Sequence, residues 1–319
     1  MFLYFETELS WKELGRRTVK DSIQDDVAGL AAQLSYYFFL SLFPALLFLV
    51  ALASFFPLYS FADESMRLLG PIAPEAVVTL LQDQLTSLSN SGDSSLLSIG
   101  LLMALWSSSA AMVSVIDAMN RAYDIEDSRT WWKRRLIAIA LTIGLALFIL
   151  TSFGLIVVGP WLADFLGRHL SVAPAFTLAW KILQWPVVFL LASTGFGVVY
   201  YFAPDAEQEW VWISPGALVA TVLWFLASLA FRYYVVNFGN YEEAYGTLGG
   251  IILTLLWFYI TGLAMVIGAE LSAEIHRVSP WGKNAGPQIV GQRKRLGLAA
   301  SREWFKHHPR KSGPAASPA

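Results

Sequence analysis

Six stretches of this 319-residue chain carry no Asp, Glu, Lys or Arg, and each is long enough to cross a lipid bilayer. They lie within Val27–Ala62, Ser94–Ile116, Leu136–Ala163, Ile182–Pro204, Val211–Phe231 and Ala244–Ala269. A helix rising about 1.5 Å per residue needs about 20 residues to traverse a hydrocarbon core ~30 Å thick. In lipid every backbone N–H and C=O must be bonded within its own segment, so apolar runs of this length become helices. Short alternating segments, which would signal a membrane barrel, are absent. The sequence therefore predicts an all-α, polytopic membrane protein of six transmembrane helices. Composition agrees: 14% of residues are charged, against roughly 25% in a soluble domain. There is no cysteine, which excludes disulfides, thiolate nucleophiles and Cys-ligated metals.

Lys and Arg set the orientation. With six spans both termini share a side, and that side holds 18 of the 22 basic residues. They fall in the N-terminal segment (Lys12, Arg16, Arg17, Lys20), in the second connection (Arg121, Arg129, Lys133, Arg134, Arg135) and in the tail from Arg277 onward. The other side holds Arg67, Arg168, Lys181 and Arg232. Both termini are expected to be cytoplasmic.

The spans divide the chain into an N-terminal cytoplasmic segment (1–26), a membrane domain (27–277) and a basic, largely disordered tail (278–319). Ser10–Ile23 reads as an amphipathic interfacial helix: Ser10 and Glu13 form a capping-box pattern, and Trp11, Leu14, Val19 and Ile23 fall near one face. Its basic residues suit anionic lipid. In the outer connection Asp63–Asp93, Val77, Leu80, Leu81, Leu85 and Leu88 recur at helical spacing and predict a second interfacial helix. Pro44 and Pro57 predict a kinked or broken first span. The tail lacks the interleaved aromatics of a nucleic-acid stacking platform, so the expected partners are membrane lipids, with a second copy or an envelope protein as further candidates, and not nucleic acid.

Polar residues within or beside the spans are the functional candidates. Gln33 and Tyr37, four residues apart, share a face near the inner end of the first span, with Tyr36 beside them. They either bond neighbouring helices or face a cavity. Asn120, Arg121 and Arg135 border the second connection, and Glu270 closes the sixth span. Glu270 is expected either to line a gate or to pair with Arg121, Arg134 or Arg135. At the outer end Asn237, Tyr241, Tyr245, Gly246, Gly249 and Gly250 combine interfacial aromatics with glycines that let helices or a ligand approach the backbone.

These motifs carry a family resemblance. Ala31-Ala32-Gln33-Leu34-Ser35-Tyr36-Tyr37 with Ser41-Leu42-Phe43-Pro44 resembles the opening motif of the YihY/BrkB family of bacterial inner-membrane proteins. Asn120-Arg121-Ala122-Tyr123 and Trp132-Lys133-Arg134-Arg135-Leu136 are similar to its second-to-third-span connection. Pro215-Gly216-Ala217, Trp224, Tyr241 through Tyr245-Gly246, and Leu256-Trp257-Phe258-Tyr259 through Gly268-Ala269-Glu270-Leu271 match its C-terminal half. Where many members carry a basic residue and glycine after the second-span tryptophan, this chain reads Ser109-Ala110-Ala111. The resemblance implies six spans in the bacterial cytoplasmic membrane, and members have been tied to serum resistance and to export or trafficking of envelope lipids.

Some members bear the label ribonuclease BN. A metal-dependent nuclease needs clustered His and carboxylate ligands. His169, His276, His307 and His308 form no such spaced set, being read as outer-loop and tail residues, so no catalytic or metal-binding residues, no cofactor and no enzymatic activity are expected. The leading expectation is a transporter or flippase-like handler of lipid or amphipathic envelope molecules. No P-loop run is present to bind ATP. The alternative is a non-transporting scaffold or assembly factor. Orientation is testable in this cysteine-free chain: in intact spheroplasts an impermeant maleimide should label Ser89→Cys and spare Ser312→Cys, and the reverse pattern overturns the assignment.

Overall fold

The computed structural model describes residues 10–53, 94–169, 173–208, 210, 214–238, 247–278 and 293–296. Among them are seven helices: α1 (Trp11–Gln24), α2 (Val27–Ala53), α3 (Ser94–Ala122), α4 (Trp131–His169), α5 (Ala173–Phe202), α6 (Pro215–Phe238) and α7 (Thr247–Val278). The last six each contain a span long and apolar enough to cross a membrane. Two short strands, β1 (Ala206–Glu207) and β2 (Lys294–Arg295), pair in parallel. The interfacial helix expected after Pro74, together with Pro57, Tyr241, Tyr245 and Gly246, lies outside the described residues.

Helix boundaries follow local chemistry. The Ser10 hydroxyl accepts the Glu13 amide at 3.3 Å and opens α1. The Glu13 carboxylate instead bonds Arg16 and Arg17. Asp26 adopts φ 52°, where its amide closes α1 on the Ile23 carbonyl, and its side chain accepts the Gly29 amide to open α2. Asp124, at φ 49°, ends α3 in a Schellman motif: its amide reaches the Arg121 carbonyl, and Ile125 reaches Asn120. Glycine is the usual occupant of that position, and aspartate tolerates the left-handed geometry better than most side chains because its short polar group can bond locally. Ser214 caps α6, with Pro215 at its first turn.

Pro44 does not break the first span. Helix α2 is continuous through it, as α5 is through Pro186; a proline removes one intrahelical bond, which the adjoining turns can span. The sixth span also exceeds its charge-free stretch. Helix α7 continues past Ala269 to Val278, so Glu270, Glu274, His276 and Arg277 ride on helix.

Helix α2 packs most extensively on α7 and α3, and α7 also lies along α6. Sparse hydrogen bonds join the helices. Ser35 Oγ donates to the Leu255 carbonyl at 2.7 Å, Tyr200 Oη to Met265 at 2.6 Å, and Ser193 to Thr221 at 3.0 Å. Such bonds contribute about 0.6 kcal/mol on average in membranes. Small residues set the closest crossing: a Cβ on Gly268 would fall 2.5 Å from Tyr200 Oη and 2.6 Å from Ala220 Cβ, and one on Gly216 would fall 2.2 Å from the Gly268 carbonyl. Among the described residues a Cβ on Gly250 meets nothing within 4 Å, so no described helix approaches it closely. Gly268→Ala should therefore cost about 1–3 kcal/mol by overpacking and lower the melting temperature. Gly250→Ala should be neutral or slightly stabilising in the same thermal assay.

Candidate functional site at the charged end

The end of the bundle that gathers the basic residues is built around Asp205, which follows α5 and is fully buried. Its amide donates to Asn120 Oδ1 at 2.8 Å, tying the α5–α6 connection to the end of α3. Its carboxylate accepts the Ser128 amide at 2.9 Å, the Ser128 hydroxyl, and Arg293 Nε at 3.1 Å. Asn120 Nδ2 reaches Asp127 at 2.9 Å, and Asp127 receives two 2.8 Å bonds from the fork of Arg129. That guanidinium also donates to the Ala203 carbonyl at 3.0 Å. A buried aspartate with this many donors holds three chain segments in one register.

Part of the basic tail enters this assembly. Arg293 binds Asp205 and the Ala206 carbonyl, Lys294 Nζ donates at 2.9 Å to the carbonyls of Tyr123 and Asp124, and Leu296 is buried. Lys294 thus caps the C-terminus of α3, where the macrodipole favours a cation. Burial pulls its ammonium below the usual lysine range. Composition pointed to a largely disordered tail, and four docked residues within it are invisible to composition.

A second set of ion pairs fastens α1 to α7. Arg17 meets Glu274 at 3.4 Å, and Arg277 meets Asp21 at 3.0 Å, Glu274 at 3.4 Å and Asp124. Beneath it lies Glu270, 1% exposed, with no hydrogen-bond partner on either carboxylate oxygen among the described residues. Its electrostatic neighbours are Asp21, Asp25, Asp124 and Arg277. The anticipated pairing with Arg121, Arg134 or Arg135 is not formed. Arg121 is exposed and lines an open cleft of about 480 Å³ with Asn120 and the acids Asp25, Asp117, Asp124, Glu126 and Asp127. Arg134 bonds Asp117 at 2.6 Å. Arg135 lies 4.2 Å over the Trp106 ring and donates to the Trp106 carbonyl. Helix α7 turns Glu270 toward the α1–α2 junction, a direction that sequence spacing alone does not fix. A larger cleft of about 780 Å³ between α1 and α7 is lined by Arg16, Arg17, Lys20 and Arg277 with Glu13, Asp21 and Glu274.

The remaining candidates are dispersed. Gln33 and Tyr36 are exposed on the flank of α2 and line neither cleft. Tyr37 is half-buried, edge-on to Tyr36 with ring centres 5.5 Å apart. Asn237 is exposed and satisfies itself on the Tyr233 carbonyl at 2.8 Å. Gly249 is buried. His276, read as a tail residue, lies in α7 with its ring 6.4 Å from that of Tyr123. Among the described residues no group of three His, Cys, Asp or Glu side chains is placed to hold a metal ion. Asp205 and Asp127 escaped the sequence reading because both lie in connections; the only signal was a run of polar residues between spans.

The family model described as "Virulence factor BrkB" matches residues 18–288. The chain belongs to this family. It is similar to the "Putative ribonuclease-like protein YfkH" of Bacillus subtilis, 33% identical over 247 residues, which cover 77% of this chain and 89% of that protein. A UPF0761 membrane protein of Ralstonia nicotianae is 26% identical over 285 residues, 86% of this chain and 62% of the relative. One of Tolumonas auensis is 25% identical over 253 residues, covering 79% and 81%. No solved structure matches. This member of the BrkB family is an integral, multi-pass membrane protein.

The site has an acid-sensitive side. Burial pushes the Asp127 carboxyl up, but the hydrogen bonds and charge of Arg129, aided by Asn120, outweigh burial and hold it below the ordinary value. A carboxyl lowered on folding stabilises above its unfolded value, ~3.9, and that contribution is lost as pH falls through the folded value. Burial and the charge of Asp124 instead push the Asp25 carboxyl up, so its contribution has the opposite sign. Asp127→Asn should flatten the acid limb of a melting-temperature profile. Arg129→Ala strands Asp127 in a largely buried site and should cost about 3–5 kcal/mol, read as a lower melting temperature in detergent.

Proposed function

We propose that this protein is a secondary handler of lipid or amphipathic envelope molecules in the bacterial cytoplasmic membrane, its charged end facing the cytoplasm and Glu270 serving as the coupling carboxylate. One observation carries the reading: Glu270 is sealed inside the bundle with both oxygens unpartnered among the described residues, within electrostatic reach of Asp25 and Asp124, which line an open acidic cleft. A carboxylate in such a place is costly, and in membrane proteins it marks ion or substrate pathways. A proton or monovalent cation supplies the missing partner; coupling requires that it reach Glu270 from one side of the membrane and leave to the other, with the acidic cleft as the cytoplasmic opening. The charge-poor remainder of the spans leaves one such carboxylate as the centre of coupling. The positive-inside pattern supports the orientation.

The scaffold reading draws on a separate observation. Gln33 and Tyr36 face outward on α2, where another protein could meet them as readily as lipid. We also read the protein as not a nuclease, since among the described residues no three His, Cys, Asp or Glu side chains are grouped to hold a metal ion and His276 packs beside Tyr123; purified protein with magnesium or zinc should cleave RNA no faster than a mock preparation. Reconstitution decides between handler and scaffold. In liposomes with a fluorescent lipid, the wild type should accelerate translocation under a pH or sodium gradient, and Glu270→Gln should fold normally yet lose the gradient dependence. A stable wild type that moves no lipid under either gradient supports the scaffold.

A further inference from the structure

Helix α1 has two apolar faces, and among the described residues only one packs on the rest of the protein. Leu14, 1% exposed, packs with Leu271 and Ile275 of α7, and Thr18 is buried beside it. Trp11, Val19 and Ile23 are 71%, 61% and 76% exposed. These three are spaced by multiples of four, so they follow one i, i+4 row that winds partway round the helix. The exposed basic residues Lys12, Arg16 and Lys20 lie alongside it. The sequence grouped Leu14 with the other three; docking on α7 separates them.

The place of this face in the fold names its occupant. Asp25 and Asp26 alone join α1 to α2, and the first membrane span begins at Val27. Helix α1 is therefore held at the end of the spans, at headgroup depth. Arg17–Glu274 and Asp21–Arg277 fix it to the end of the last span. Exposed tryptophan and aliphatic groups flanked by cations match a bilayer surface carrying anionic phosphates. The link from Arg16 to Glu13, 3.1 Å and solvent-exposed, is of the weak surface kind and leaves the Arg16 charge accessible.

We propose that α1 binds the anionic surface of the surrounding bilayer, with Trp11, Val19 and Ile23 in the interfacial layer and Lys12, Arg16 and Lys20 on lipid phosphates. Through its ion pairs to Glu274 and Arg277 this contact stabilises the charged end, so the protein's stability responds to anionic lipid. The inference does not depend on whether the protein moves lipid. The full chain carrying Val19→Cys or Ile23→Cys, spin-labelled, is placed in nanodiscs of phosphatidylcholine with or without phosphatidylglycerol. With phosphatidylglycerol the labels should become several-fold less accessible to a water-soluble nickel chelate and more accessible to oxygen, and the melting temperature should rise by several degrees. Inorganic phosphate added to phosphatidylcholine discs should reproduce neither change. The combined Lys12→Gln, Arg16→Gln, Lys20→Gln variant should lose the lipid-dependent rise. Labels equally water-accessible in both lipids, labels buried regardless of lipid charge, or a triple variant that keeps the full rise each overturn the proposal. If the triple variant fails to fold, the label measurements on the otherwise native chain decide it.

Discussion

A helix bundle in lipid gains little by burying apolar side chains against one another, because acyl chains are as apolar as leucine. Everything specific about this fold must come from close backbone approach and from polar contacts, and among the described residues the second resource is concentrated at one end. The α6–α7 crossing at Gly216 and Gly268 supplies the first. The assembly around Asp205 supplies the second, joining the end of α3, the connection to α4, the end of α5 and the returning tail. With the spans free of charge through their apolar stretches, this end sets the register of the bundle.

The same concentration explains how a costly group can persist. Glu270 lacks a hydrogen-bond partner among the described residues, yet one turn beyond it Glu274 and Arg277 bind α1 and Asp124. The surrounding ion pairs over-determine the backbone there, so the unpaired carboxylate need not stabilise anything itself. A site of this kind is poised rather than satisfied. Arg277, shared by three carboxylates, is also the cation among the electrostatic neighbours of Glu270 and joins α7 to α1.

Helix α1 links this electrostatic end to the bilayer. Among the described residues its inner face is docked and its outer face is not. The ion pairs from α1 to α7 therefore connect whatever surrounds the outer face to the neighbourhood of Glu270. The apolar–basic alternation that reads as a simple amphipathic helix resolves, once Leu14 is removed to the protein side, into a docking strip and a separate exposed strip.

Some of this was fixed by the chain alone. Six charge-free runs force six helices because lipid offers the backbone no other partner, and the family motifs follow from residues legible in order. Ser10 and the helix it opens were equally plain, since capping is local chemistry. The partners of Arg121, Arg134, Arg135 and Glu270 were not legible, because periodicity gives a residue's face but not which helix that face meets. Arg134 found Asp117 on α3, Arg135 found the Trp106 ring, and Glu270 found no hydrogen-bond partner among the described residues. Asp205, in a short connection without periodicity, became the centre of the charged end only when folding brought α3, α5 and the tail together. Sequence thus set the solvent, the helices and the distribution of charge; tertiary structure decided which charges meet, because that depends on crossings between helices far apart in the chain.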